Sequence, residues 1–154
     1  MGPAGALTMH VLVMAFCEHA QLRADGKLDI HGAFNDLAAP GFPAKQDEMV
    51  LVVALEWGAA DAGRYQFKVE LVGDAPRPAF TVNGETEVRA PGPDGRPART
   101  YLVMPLQDIV FPAPGAYRLE LRIKGRTHAG PILHLWQVAG PEALEPGAAG
   151  PGAQ

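Results

Sequence analysis

Between Arg64 and Val72 the chain alternates strictly, with Tyr65, Phe67, Val69 and Leu71 set against Arg64, Gln66, Lys68 and Glu70. Successive side chains of a strand point to opposite faces, so this is a strand with one buried and one wet face. Tyr117, Leu119, Leu121 and Ile123 repeat the pattern against Arg118, Glu120, Arg122 and Lys124. Other segments break it. Met9 to Phe16, Met49 to Leu55, Tyr101 to Leu106 and Ile132 to Trp136 are apolar, or nearly so, on both parities. A strand apolar on both parities must be buried on both faces. The contrast predicts an all-β chain in which part of the outer sheet surface is covered.

Turn chemistry separates these segments. Met9 to Arg23 is followed by Asp25-Gly26 and then by Leu28 to Phe34. Asp-Gly tolerates the positive φ of a tight hairpin turn, and the alternation beyond it is expected to keep Leu28, Ile30 and Phe34 on one face. Ala38 to Pro43, with Pro40, Gly41 and Pro43, reads as a crossing loop. A strand from Met49 to Trp57 turns through Asp61-Ala62-Gly63 into Arg64 to Val72, and a weaker strand follows from Ala79 to Val88. Ala90 to Pro97 is too rich in Pro and Gly to pack and is expected to be an exposed, mobile loop. Tyr101 to Leu106 is a further strand, with Ile109 to Phe111 a short apolar piece behind it. The strand ending at Lys124 turns through Gly125 into a last strand that closes near Val138.

From Ala139 to Gln154 the chain is almost wholly Gly, Ala, Pro and Glu, a composition expected of a disordered tail. No helical periodicity is found. About eight strands at this spacing predict one domain over residues 1–138, a two-sheet antiparallel β-sandwich of immunoglobulin-like architecture.

Composition narrows the function. With a formal charge of −4 and only 13 Lys and Arg among 154 residues, a nucleic-acid-binding face is not expected. The one basic concentration, Arg118, Arg122, Lys124 and Arg126, reads as a solvated strand face. Cys17 is the only cysteine, which excludes an internal disulfide and points to a reducing compartment. No Lys or Arg precedes Arg23, so Leu7 to Phe16 lacks the basic start of a secretory signal, and it is too short to span a membrane. It reads as the first strand, and a cytoplasmic protein is expected.

Chemistry-bearing residues are few. His10, His19 and His31 lie on the first hairpin and could approach one another across it; His128 and His134 lie late in the chain. No H-x-H, H-E-x-x-H or paired cysteines accompany them, so no metal site is expected. Cys17 and His19 sit two apart on a strand, about 6.5–7 Å from each other, too far for the hydrogen bond that activates a thiol. The chain has no serine, which removes the serine hydrolases. Its Asp residues stand in turns, where they cap their own backbone, and do not cluster as a calcium-dependent membrane module requires. Trp57 and Trp136 close apolar strands as core or interface anchors. No catalytic residue, cofactor or metal is therefore assigned.

If the doubly apolar strands form one sheet, their outward residues, Leu12, Met14, Val50, Val52 and Leu133, make a patch too large to stay bare. With Trp136 they mark the expected contact surface of a homodimer or a protein partner. This makes the chain a non-enzymatic interaction or scaffold module. The alternative is a small-molecule-binding protein or enzyme with its pocket between the sheets or among the loops bearing His19, His31 and His128.

The stretch Ala15-Phe16-Cys17-Glu18-His19-Ala20-Gln21, continuing through Gly26-Lys27-Leu28-Asp29-Ile30-His31-Gly32-Ala33-Phe34, resembles the opening of a widespread family of short, uncharacterised bacterial proteins. Pro114 to Leu119 followed by Lys124-Gly125 is similar to that family's penultimate hairpin. The resemblance spans Met9 to Val138. It implies a β-sandwich and transfers no catalytic residue.

Overall fold

The computed structural model describes residues 9–139. Nine strands follow one another: β1 (His10–Leu22), β2 (Leu28–Phe34), β3 (Asp36–Ala39), β4 (Ala44–Glu56), β5 (Gly63–Val72), β6 (Phe80–Val88), β7 (Arg99–Phe111), β8 (Gly115–Ile123) and β9 (Arg126–Gln137). They form a four-stranded sheet in the order β2-β1-β4-β7 and a five-stranded sheet in the order β3-β9-β8-β5-β6. Neighbours run antiparallel except β3, which lies parallel to β9. Among the described residues no helix is long and apolar enough to cross a membrane.

One parity of each strand fills the space between the sheets. Phe16, Leu51, Val53 and Leu55 from the first sheet meet Val69, Leu71, Leu119, Leu121 and Leu133 from the second, all fully buried in one cluster. Burying one such side chain contributes about 1.5–3 kcal/mol, so this layer holds the fold together. Met14 of the first sheet packs closely on Gly130 of β9, where a Cβ would collide with its sulfur.

Three departures from the sequence reading have local causes. A bulge falls between Val11 and Val13, which face Leu55 and Ala54 of β4. The extra residue, Leu12, is left exposed, and the side chains from Val13 to Cys17 change face. Met14 consequently points inward and packs on the core, while Val13, Ala15 and Cys17 share a face with Val50, Val52 and Ala54 of β4. The first hairpin also changes face. Phe34 lies in the inter-sheet cluster, whereas Leu28 and Ile30, of the same parity, join a separate cluster with Cys17, Ala20 and Val52. The switch falls at Gly32, whose φ of 67° takes it out of strand geometry and whose missing Cβ leaves room for the Glu18 side chain.

The third departure is β3. The chain leaves the first sheet at Phe34 and enters the second at Asp36, and the Asn35 carbonyl between them accepts a hydrogen bond from the His134 amide at 2.8 Å. Leu37, Ala38 and Ala39 are buried, so the crossing segment begins as an edge strand. Tyr101 to Leu106 and Ile109 to Phe111 are likewise parts of one strand, β7, which pairs with β4 along its length and accommodates Pro105 because it is an edge. Residues 140–154, expected as a disordered tail, lie outside the described residues.

Tyr117 closes the β7–β8 turn. Its hydroxyl donates to the Ala113 carbonyl at 2.6 Å and accepts from the Ala113 amide at 3.3 Å, and its ring stands edge-on to Phe111 at 5.2 Å. Immunoglobulin-like sandwiches use a tyrosine in the same way to fasten a corner. Tyr117→Phe keeps the ring and removes both bonds, and should lower stability by about 1–2 kcal/mol in urea unfolding with an unchanged slope.

Candidate functional site

From Met49 to Leu55, strand β4 is apolar on both parities, and its outward set, Val50, Val52 and Ala54, builds the most distinctive surface of the first sheet. These residues stand opposite Cys17, Ala15 and Val13 of β1 and opposite Pro105, Val103 and Tyr101 of β7. Three strands thus present nine consecutive outward positions without a charge. Cys17 and Val52 are fully buried and Ala54 nearly so, while Val13, Val50, Tyr101 and Val103 are half-buried. Ala20, Leu28 and Ile30 of the first hairpin extend the cluster at one side. Polar groups close its two ends: Glu56 and Arg99 pair at 3.0 Å beyond Ala54, and Glu48 stands opposite Gln107 beyond Val50.

The six residues expected at a contact surface are divided by this geometry. Val50 and Val52 belong to the outer face of the first sheet, and Leu12 is exposed on its bulge. Met14 and Leu133 lie between the sheets, Leu133 with no exposure. Parity alone places them outside, and the β1 bulge and the assignment of β9 to the second sheet reverse that. Trp136 is 54% exposed, but on the second sheet, where its indole N–H donates to Asp36 at 2.9 Å and its ring stacks on His134. Val13, Tyr101 and Val103, which complete the face, are missing from the sequence expectation, because only the register of β1 and β7 on β4 identifies them.

Cys17 belongs to this face, in the row of Val50 and Pro105. Burial pushes its thiol above the ordinary range, against a backbone bond at His19 that works in the other direction. A buried, protonated thiol is a weak nucleophile. Cys17 should therefore resist a thiol-specific disulfide reagent in the native protein and react at once in denaturant; rapid native labelling would contradict this burial.

The histidines do not form a site together. His19 and His31 are opposite one another on β1 and β2, with ring centroids 5.9 Å apart, both exposed. His10 is at the far end of β1 opposite Glu56, His128 faces Leu121, and His134 lies beside Trp136. Among the described residues no three His, Cys, Asp or Glu side chains converge as a metal would require. Trp57 is a core anchor: its indole N–H donates to Thr100 at 2.9 Å and its ring stacks on Tyr65 at 4.8 Å.

Asp61, which reads from sequence as an ordinary turn carboxylate, is the one buried charged residue described. It accepts from the Lys124 ammonium and from the Gly58 amide at 2.8 Å, and its carbonyl accepts from the Tyr65 hydroxyl at 2.7 Å. Burial alone would push its carboxyl up, but the bonds from Lys124 and Gly58 outweigh it and hold the group below the usual carboxylate range. A carboxyl depressed on folding stabilises the protein above its unfolded pKa, and that contribution is lost as pH falls through the folded value. Asp61→Asn should cost about 2 kcal/mol at neutral pH, with the difference from wild type shrinking once the medium is more acid than ordinary carboxylates. Urea unfolding at the two pH values tests this.

A search among proteins of described function returned no match to this chain. Residues 12–134 match a family of unknown function, DUF6941, which takes in all of β2 to β8 and most of β1 and β9. The β-sandwich described above belongs to a member of that family.

Proposed function

We propose that this chain is a non-enzymatic interaction module that self-associates, two copies meeting through the outer face of β1, β4 and β7. The observation that carries the proposal is the uncharged three-strand surface around Val50, Val52 and Val103, which lies outside a core already complete between the sheets. A solvated outer face of an antiparallel sheet is polar at alternate positions, as on β5 and β8. This one instead has an apolar centre and a polar border at Glu56, Arg99, Glu48 and Gln107, the arrangement of a specific interface. A two-fold pairing uses the same patch on both copies and needs no second kind of surface. Docking on a different protein partner would use the same face.

Sedimentation across a concentration series decides the matter. A dimer at micromolar concentration is expected, and Val50→Lys or Val103→Lys, each placing a charge within the apolar face, should shift the protein to monomer by at least tenfold in dissociation constant, about 1.4 kcal/mol, while leaving the monomer folded. A wild-type monomer throughout the micromolar range overturns self-association. If lysine at position 103 leaves the dimer intact, the contact lies elsewhere.

A further inference from the structure

On the opposite side of the molecule, the outer face of the second sheet gathers cations into one row. Lys68 of β5 stands opposite Asn83 of β6 on one side and opposite Arg122 of β8 on the other, and Arg122 stands opposite Thr127 of β9. Four adjacent strands therefore present Asn83, Lys68, Arg122 and Thr127 side by side on the wet face. The row lies in a hollow of about 500 Å3 that is closed at one end by the Lys124-Gly125-Arg126 turn. Four of the chain's 13 Lys and Arg line this hollow, and no acidic residue does.

The arrangement is not that of cross-strand ion pairing. Such pairing sets opposite charges directly across from each other, whereas here Lys68 faces Arg122 and, one row away, Glu70 faces Glu120. Among the described residues neither Lys68, Arg122 nor Arg126 has a carboxylate within ion-pair distance, while Lys124 is committed to Asp61. Two uncommitted cations, an amide and a hydroxyl thus stand side by side as donors, with Arg126 at the adjoining turn, and the carboxylates of Glu70 and Glu120 occupy the next row. The guanidinium fork suits two oxygens of one oxyanion, and the lysine adds a point charge.

We propose that this hollow is an anion-binding site, and that its ligand class is a dianionic oxyanion of the phosphate monoester type, held by Arg122, Lys68 and Arg126 with Asn83 and Thr127 as neutral donors. The proposal does not depend on self-association, which uses the other sheet. Sedimentation and phosphate titration therefore fail separately.

The test is titration of the 15N-labelled full chain with inorganic phosphate at constant ionic strength, chloride making up the balance, followed by amide shifts. Saturable shifts centred on Lys68, Arg122 and residues 125–127 are expected. Arg122→Gln and Lys68→Gln should each weaken phosphate about tenfold. Arg118→Gln removes the same charge from the same face of β8, outside the hollow, and should leave affinity unchanged within about twofold; Glu120→Gln, which removes the nearest negative row, should tighten it. Thermal melts of each variant confirm that it is folded. Linear, unsaturable shifts, or equal losses in the Arg118 and Arg122 variants, would show only diffuse charge attraction and overturn the site.

Discussion

The contact between the end of β4 and the start of β7 sets the alignment on which both faces of the first sheet depend. Hydrophobic pattern fixes strand register when one face is polar, because a one-residue slip then exposes the apolar set. Strand β4 lacks that safeguard. Leu51, Val53 and Leu55 point inward and Val50, Val52 and Ala54 outward, so a slip exchanges one apolar set for another. What distinguishes the registers is directional. The Trp57 amide donates to the Ala98 carbonyl, its indole to Thr100, and Glu56 pairs with Arg99. These three contacts hold consecutive positions on each strand, and a slip loses all of them at once. Side-chain size adds a second criterion, since the inward residues Met49, Leu51 and Leu55 are larger than the valines and alanine opposite them, and only the inter-sheet space accommodates them.

That directional alignment explains how much of the structure was legible in the sequence. Strands with one wet face, β5 and β8, show their inward residues by parity alone, and the structure buries Phe67, Val69, Leu71, Tyr117, Leu119, Leu121 and Ile123 as the alternation requires. Strands apolar on both parities announce double burial without saying which parity is which. For β1 the answer turned on a bulge at Leu12, and for the first hairpin on a single positive φ at Gly32, neither of which leaves a periodic signal. Parity misplaces Met14 for the first reason and groups Phe34 with Leu28 and Ile30 for the second. Strand β3 was missed because it is four residues long and its partner, β9, lies about 100 residues away. Non-local pairing of so short a segment is invisible to any local pattern. The outer face of the first sheet was therefore foreseen as a property of certain strands, while its membership required the register.

The two outer faces follow opposite rules from one source. On the first sheet each strand crossing the middle is apolar outward, so the register lines up valines, alanines and Tyr101 across three strands. On the second sheet charges sit outward, and the same cross-strand alignment sets like charges side by side in two adjacent rows, Glu70 with Glu120 and Lys68 with Arg122. A sheet has no means of mixing residues across a row once register is set. Whatever the sequence places at matched positions becomes a stripe. A reading of the chain in order sees Arg118, Arg122, Lys124 and Arg126 as a spaced basic run; the pairing adds Lys68 from 54 residues earlier and separates Arg118 from it.

Lys124 connects the register anchor to the cationic hollow. It lies in the β8–β9 turn at φ 56°, with Gly125 at 71°, the pair of positive angles that a two-residue hairpin turn of matching twist demands. From there its ammonium reaches Asp61 and lies 5.8 Å from the Tyr65 ring centre, and Tyr65 in turn stacks on Trp57. One continuous set of contacts therefore runs from the β4–β7 anchor through Trp57, Tyr65 and Asp61 to the turn that ends the hollow. Two consequences follow for the cations. Lys124 is neutralised by a carboxylate and contributes shape, leaving the uncommitted charge on Lys68, Arg122 and Arg126. And because the turn is tied down from below, Arg126 and the end of β8 are carried on a fixed backbone, so that ordering them around a ligand costs side-chain freedom and little backbone freedom.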